Sequence, residues 1–193
     1  MSDTILVACV GNIFLGDDAF GVEVARSLAK RSLPVGVAVK DFGIRGFDLA
    51  YAQLEPWRAV ILVDAMPRGD APGTVHVVEP DLARMGNPAT PGVELNPHGM
   101  DPVRVLSLAL SMGPVASRII VVGCGPGEFG EESGGHMGLS KPVRAAVEEA
   151  SDMVQELAIR LLARNASAQI RMQKAEEKRK WEREADVVEV HQW

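Results

Sequence analysis

The chain has 193 residues, of which 47% are hydrophobic and 24% are charged. This composition excludes a disordered or collagen-like chain and suits one globular domain that folds without a disulfide or structural metal. The formal net charge of −6 argues against a nucleic-acid partner, because binding to phosphates depends on clustered Lys and Arg.

Short apolar runs rich in β-branched residues alternate with segments of helical period, which predicts an α/β domain with a parallel sheet covered by helices. The predicted strands are Thr4–Val10, Val35–Phe42, Ala59–Asp64, an edge strand Thr74–Val78, and Arg118–Gly123. The predicted helices are Asp18–Arg31, Gly46–Leu54, Pro102–Met112, and a last helix that begins after its expected N-cap Ser140. The Pro- and Gly-containing segment Met85–Pro97 is predicted to be a loop.

The α/β domain is expected to cover residues 1–163, and residues 164–193 are expected to form a charged extension, either helical or disordered. Cys9 and Cys124 each lie in an apolar run, where Cys serves as a small buried hydrophobe, so no disulfide is indicated. The sequence shows no signal peptide and no apolar segment long enough to span a membrane. We therefore expect a cytoplasmic protein without a membrane partner.

The first candidate site follows the first predicted strand, where an open parallel sheet binds its ligands. The segment Gly11–Gly21 contains two adjacent acids, Asp17 and Asp18. It lacks a dinucleotide fingerprint and a P-loop Lys, and two carboxylates would repel a pyrophosphate. One of the two acids is expected to cap the following helix, because a cap needs a single carboxylate. The other acid is then available for a second role.

Two more polar residues lie where predicted strands and helices meet. Asp64 ends an apolar strand, where a buried carboxylate is costly unless it is paired, hydrogen-bonded or bound to a metal. A turn-initiating Asp is an equally good interpretation of that position alone. His98 lies between the predicted loop and the helix at Pro102. Two carboxylates and one imidazole suit a divalent metal of intermediate hardness, such as nickel or zinc.

Two other polar positions favour structural roles. Asp41 ends the second predicted strand and is followed by Gly43 and Gly46, so it is expected to make a cap or loop hydrogen bond. His136, in a glycine-rich segment, is expected to orient that loop rather than to bind a metal.

With these motifs the chain resembles the hydrogenase maturation proteases, endopeptidases that trim the C-terminus of the large subunit of nickel–iron hydrogenases. The resemblance spans Ile5 to Leu162 and rests on six motifs in a fixed order. They are Gly11–Gly21, Asp41–Gly46, Asp64-Ala65, Ala71–Thr74, Pro97-His98 and Gly138–Ser140. The chain departs from the family pattern at Cys9, where glycine is common, and at Ile44, where threonine is usual.

The resemblance implies a three-layer sandwich in which a twisted, mostly parallel five-stranded sheet lies between helices. It implies Asp18, Asp64 and His98 as metal ligands, with nickel carried by the substrate, the hydrogenase large-subunit precursor. It also implies cleavage after nickel insertion, behind the His or Arg that closes the precursor's last Cys-x-x-Cys-x-x-[HR] motif. Asp41 is the candidate base or orienting residue, so the expected catalytic set is Asp18, Asp64, His98 and Asp41.

Three alternatives stay open. The first is a non-catalytic chaperone or binding module for the nickel site of the same precursor. The second is a nucleotide-binding Rossmann-like enzyme, against which the missing phosphate fingerprint counts. The third is a scaffold domain whose polar loop residues are unrelated.

Overall fold

The computed structural model describes residues 4–85, 102–127 and 137–163. The chain groups into two compact units, Met1–Ala158 and Ile159–Trp193, and of the second only residues 159–163 are described. The predicted extension at residues 164–193 and most of the predicted loop, residues 86–97, lie outside the described residues.

The described residues form five strands and five α-helices. In chain order these are β1 (Ile5–Val10), α1 (Phe20–Leu28), β2 (Val37–Gly43), α2 (Gly46–Gln53), β3 (Ala59–Ala65), β4 (Val75–Val78), α3 (Leu82–Met85), α4 (Pro102–Met112), β5 (Ile119–Cys124) and α5 (residues 141–163). A short 3-10 turn, Asp17–Ala19, precedes α1. No helix in this described part is long and apolar enough to cross a membrane.

The five strands form one sheet in the order β2-β1-β3-β5-β4, as expected for a mostly parallel sheet. β1, β2, β3 and β5 are parallel, and β4 pairs antiparallel with β5 at the edge. Because β2 and β3 lie on opposite sides of β1, the connections diverge between β1 and β3. This is the switch point at which open α/β sheets bind their ligands.

Helices cover both faces of the sheet, which confirms the α/β class. One face of β1 and β3 forms a core with apolar residues of α2 and α4, such as Leu49 and Leu106. Helix α1 packs on the sheet, where it contacts β1, β2 and β3. All six residues of β1 are buried, as are all seven of β3. Strands buried on both faces read as continuous apolar runs, which is why they were recognisable in the sequence.

The predicted helix Asp18–Arg31 needs correction at both ends, and one helix was not predicted. Helix α1 begins at Phe20, because Asp17–Ala19 form a separate 3-10 turn. Helix α1 ends at Leu28 rather than Arg31, because Lys30 and Arg31 donate their N–H groups to residues three positions earlier, which tightens the last turn. The Arg31 guanidinium lies 2.7 Å from Glu148 and 2.6 Å from Asp152 of α5. The one-turn helix α3 was not predicted, since four residues are too few to show a helical period.

Candidate active site

The loop after β1 curls back so that Asp18 lies against Gly11. A Cβ on Gly11, whose φ is 146°, would lie 2.0 Å from the Asp18 carbonyl oxygen, so only glycine fits there. The Asn12 N–H donates to Asp18 Oδ2 at 3.1 Å, and Asn12 Oδ1 accepts the Phe14 N–H at 3.0 Å. Gly11 and Asn12 thus shape the loop around the Asp18 carboxylate.

Gly21 allows the start of α1 to lie directly on the sheet. A Cβ at this position would come 2.1 Å from the Val10 carbonyl oxygen and 2.5 Å from that of Val63. The first turn of α1 therefore lies against the ends of both β1 and β3. The spacing from Asp18 to Gly21 places the acid at the switch point between these two strands.

Asp17 has a structural role at the same edge. Its side chain is fully buried. Asp17 Oδ1 accepts the Ser140 N–H at 2.7 Å, and Oδ2 accepts the Gly127 N–H at 2.8 Å and the Ser140 hydroxyl at 2.9 Å. The carboxylate joins the loop after β1 to the start of α5 and to the segment that follows β5.

The expectation that one of the two acids caps the helix they precede is wrong, because no side chain caps the 3-10 turn or α1. The Asp17 carboxylate instead accepts hydrogen bonds from two N–H groups that are distant in the sequence. Ser140 does precede α5, and its carbonyl accepts the Arg144 N–H at 2.8 Å. Its hydroxyl donates to Asp17, which explains the serine of the Gly138–Ser140 motif.

Asp18 and Asp64 approach the switch point from two elements. Burial raises the pKa of Asp18, and the hydrogen bond from the Asn12 N–H partly offsets that rise. Asp64 is 5% exposed, near the end of β3 and in register with Gly123 of β5. The 3-10 turn that carries Asp18 contacts β3. The structure thus brings these two predicted ligands to one edge of the sheet.

Asp41 is exposed at the end of β2 and makes the loop bond expected from the sequence. Its Oδ1 accepts the Gly43 N–H at 2.8 Å, and its carbonyl accepts from Arg45 Nη2 at 2.6 Å. The β1–β2 register shifts here, since Cys9 faces Asp41 while the next residue, Val10, faces Gly43. The resulting bulge turns the loop after β2 toward the loop after β1.

Cys9 lies near both Asp41 and Asp64. The pKa of its thiol is raised, first by burial and then by the negative charges of Asp41 and Asp64. Cys9 is in register with Asp41 on one side and with Val63, the neighbour of Asp64, on the other. The thiol that replaces the usual glycine is therefore protonated, buried and flanked by two predicted site acids.

The Ala71–Thr74 motif also has a structural role. A Cβ on Gly73, whose φ is 85°, would lie 2.7 Å from the Pro142 carbonyl oxygen at the start of α5. The Gly73 N–H donates to the Gly125 carbonyl at 2.8 Å, and the Thr74 hydroxyl donates to the Ala71 carbonyl at 2.6 Å. The motif packs the turn before β4 against the end of the sheet that carries the candidate site.

His98 lies outside the described residues, as do Pro97 and His136, so their predicted roles stay predictions. Within residues 4–85, 102–127 and 137–163, no group of three or more His, Cys, Asp or Glu is placed to hold a metal ion.

Three exposed aromatic residues near this edge were not predicted from the sequence: Phe14, Phe47 and Tyr51. A usable signal was present in α2, GFDLAYAQ, where apolar residues occur all around the helix instead of along one stripe.

Comparison with known proteins identifies consistent relatives. A family model described as HycI, hydrogenase maturation protease, matches residues 22–157 and so includes Asp41, Asp64 and His98. The hydrogenase expression/formation protein HupM of Azotobacter chroococcum mcd 1 is 34% identical over 151 residues, which cover 77% of this chain and 68% of HupM. The hydrogenase 2 maturation protease of Escherichia coli is 30% identical over 151 residues, which cover 78% of this chain and 87% of the relative.

Solved structures agree with this result. The Escherichia coli hydrogenase maturating endopeptidase HybD superimposes with a TM-score of 0.62 at 30% identity, covering 78% of this chain and 89% of HybD. The hydrogenase 2 maturation peptidase of a Thaumarchaeota archaeon superimposes with a TM-score of 0.59 at 30% identity, covering 80% and 97%.

Proposed function

Since this chain belongs to the hydrogenase maturation protease family, we propose that it removes the C-terminal peptide from the large-subunit precursor of a nickel–iron hydrogenase. It is a peptidase by membership of that family. The proposed cut follows nickel insertion and falls after the His or Arg near the precursor's nickel-binding Cys motif. Nickel is thus part of the substrate.

The observation that carries this proposal is the placement of Asp18 and Asp64 at the switch point between β1 and β3. Two carboxylates and the imidazole of His98 make a mixed oxygen and nitrogen set, which suits nickel among the divalent transition metals. The precursor's thiolates already hold the nickel, so the protease needs to add only a few ligands. The same three side chains then dock the peptide bond at the edge of the sheet.

The two neighbouring acids divide the work between them. Both oxygens of Asp17 accept hydrogen bonds from the rest of the chain. Asp18 uses Oδ2 for the Asn12 N–H, while its Oδ1 has no hydrogen bond within the described part of the chain. Asp18 is therefore the acid that we propose as the metal ligand. The raised pKa of Asp18 fits a carboxylate that gains from binding a cation.

Asp41 is the proposed base or orienting residue for the attacking water. Its Oδ1 is held by the Gly43 N–H, and its Oδ2 has no hydrogen-bond partner among the described residues. As water attacks the peptide carbonyl, the carboxylate takes the water proton and returns it to the leaving amine. The substrate's nickel contributes either by polarising the carbonyl or water, or only by positioning the chain.

The test is the intact mass of a nickel-loaded large-subunit precursor, measured before and after incubation with this protein. A nickel-free precursor is incubated in parallel. We expect a mass loss that corresponds to a cut after the basic residue, with the nickel-loaded form only. Binding of the precursor without any loss of its mass would contradict the proposed protease activity and favour a non-catalytic chaperone.

Ligand variants sharpen this test. Asp64→Asn and His98→Ala should each abolish processing while the far-UV circular dichroism spectrum stays unchanged. Asp152→Asn is the matched control. It also removes one carboxylate, but Asp152 lies on α5, in an exposed ion pair with Arg31. Full processing by a folded His98→Ala protein would refute the ligand assignment.

A further inference from the structure

Four large apolar residues beside the candidate site are exposed to solvent: Phe14 on the loop after β1, Ile44 on the loop after β2, and Phe47 and Tyr51 on α2. These residues are 58%, 61%, 62% and 61% exposed, respectively. Large exposed apolar groups that cluster mark interaction sites on proteins, whereas scattered single ones need no explanation. Aromatic side chains also dominate the binding energy of protein interfaces. We call these four residues, three aromatic and one aliphatic, the aromatic surface.

Helix α2 contributes two of these residues on the side that faces water. Its buried side carries Leu49, Ala50 and Ala52, which pack in the core. Phe47 and Tyr51 are four residues apart and therefore neighbours on the helix surface, and both are exposed. A surface helix ordinarily places polar residues on that side. Helix α2 thus has a second apolar face that the described chain does not cover.

The other two residues lie on the loops that carry the candidate site. The Gly11 N–H donates to the Gly43 carbonyl at 3.1 Å, which joins the loop after β1 to the loop after β2. Phe14 follows this junction on the first loop, before Asp18, and Ile44 follows it on the second. The aromatic surface therefore adjoins the edge of the sheet where substrate would bind.

We propose that the aromatic surface docks the folded body of the hydrogenase large-subunit precursor, on an apolar patch beside the precursor's nickel site. The inference rests on the proposed function and adds a second recognition element, independent of nickel. A few metal ligands form too small a contact to select one folded protein, whereas aromatic anchors supply affinity and shape. Arg45 and Asp48, both about 60% exposed and 3.8 Å apart, give this surface a charged rim.

A second copy of the chain is the less fitting occupant. Phe14 and Ile44 lie on the same two loops as Asp18 and Asp41, so a copy seated there would stand over the acids that have to reach the precursor. The precursor, by contrast, must approach this edge to present its nickel. The location of the aromatic surface therefore favours the substrate protein.

The experiment compares the full-length F47S/Y51S double variant with a matched V35S/V77S control. Val35 is fully exposed before β2 and Val77 is half-exposed on the edge strand β4, so both pairs remove exposed apolar side chains. KM and kcat are measured for the nickel-loaded precursor, and Kd for the nickel-free precursor. For F47S/Y51S we expect KM to rise about tenfold or more with little change in kcat, as for the loss of interface anchors.

The nickel-free precursor separates the two recognition elements. F47S/Y51S should raise Kd for the nickel-free form by the same factor as it raises KM, because distant contributions add. Asp18→Asn should weaken binding of the nickel-loaded form only. V35S/V77S should match the wild type in every measurement.

An unchanged KM for F47S/Y51S, with a wild type that cuts the precursor, would overturn the docking proposal and leave the proposed function standing. A wild type that neither binds nor cuts would overturn both. Sedimentation velocity tests the remaining occupant: a dimeric wild type and a monomeric F47S/Y51S protein, with KM unchanged, would assign the surface to contacts between copies and overturn the proposal.

Discussion

The loop after β1 and the loop after β2 both bring an acid to the same edge of the sheet, but they are held in different ways. In the first loop, Asp17 is fully buried and its partners lie 110 and 123 residues away in sequence. In the second, Asp41 is exposed and its hydrogen bonds come from residues two and four positions away. Long-range bonds fix a loop relative to the whole fold, whereas short-range bonds fix only its local turn.

The difference in how the two loops are held fits the different roles that we propose for Asp18 and Asp41. A metal ligand has to be held accurately relative to its partner on another strand, and Asp18 belongs to the loop that is anchored at long range. The loop after β2 carries Asp41 and Ile44, which we propose contact the substrate. We therefore expect substitution of Asp17, the buried anchor of the first loop, to act on stability. Substitution of the proposed site acids, Asp18 in the first loop and Asp41 in the second, should act on processing.

The largest effect is expected for Gly21→Ala. The added Cβ would lie 2.1 Å from a backbone oxygen of β1 and 2.5 Å from one of β3, so α1 has to move away from the sheet. We expect a loss of about 3 kcal/mol or more in the free energy of unfolding, measured by urea denaturation. Gly69→Ala is the control, because nothing lies within 4 Å of its Cβ and only its φ of 83° is strained. Equal losses in both would refute the close contact of α1 with the sheet.

The adjacent acids should show opposite phenotypes. Asp17→Ala leaves two N–H groups and a hydroxyl without their acceptor, so we expect a loss of about 3 kcal/mol in stability. Asp18→Ala removes a carboxylate whose burial is already unfavourable, so stability should change by less than about 1 kcal/mol while processing is abolished. Urea denaturation and intact mass measure the two effects. Equal destabilisation by both variants would refute this division.

Asp41→Asn tests the second loop. The amide oxygen can still accept the Gly43 N–H, so the fold and the urea midpoint should stay unchanged. The amide cannot take a proton from water, so kcat should fall about 100-fold or more, with KM within about twofold of the wild type. A raised KM with a normal kcat would instead make Asp41 a binding residue.

The smallest effect concerns Cys124, which lies near the Asp17 carboxylate. Burial, followed by the charge of Asp17, raises the pKa of the Cys124 thiol to about 11. The Cys124 thiol ionises at a lower pH in the unfolded chain than in the folded protein. Its ionisation therefore lowers the free energy of unfolding as the pH rises from 9.0 to about 11.

Alkylation followed by peptide mass mapping provides a second readout of the same contact. Cys124 should be unreactive in the native protein at pH 8 and reactive in urea, because the thiolate is the nucleophile. Asp17→Ala should accelerate labelling of native Cys124 more than that of Cys9. Equal acceleration at both thiols would indicate general loosening rather than loss of the Asp17 contacts.

Local signals in the sequence predicted much of the fold. Every strand of the described residues was located to within a few residues. The signal was clearest for β1, β3 and β5, because strands buried on both faces are short, continuous apolar runs. Pro102 marked the start of α4, and Ser140 marked the start of α5. The placement of Asp64 at the end of β3 also followed directly from its strand.

Contacts between distant segments could not be predicted in this way. Nothing local to Asp17 shows that its partners are Gly127 and Ser140, and a helix cap was the natural reading of an acid at a helix start. The same limit applies to Gly21, whose lack of a side chain matters only because two strands end beneath it.

By itself, the sequence determined the α/β class, the position of each strand and the acids that follow them, because hydrophobic periodicity and strand ends are local properties of the chain. Only the tertiary structure decided which acid is buried and hydrogen-bonded to distant segments, and which acid stays available at the switch point. It also decided which aromatic side chains remain exposed. These properties depend on the segments that pack against each residue, and such partners are separated from it by many positions in the chain.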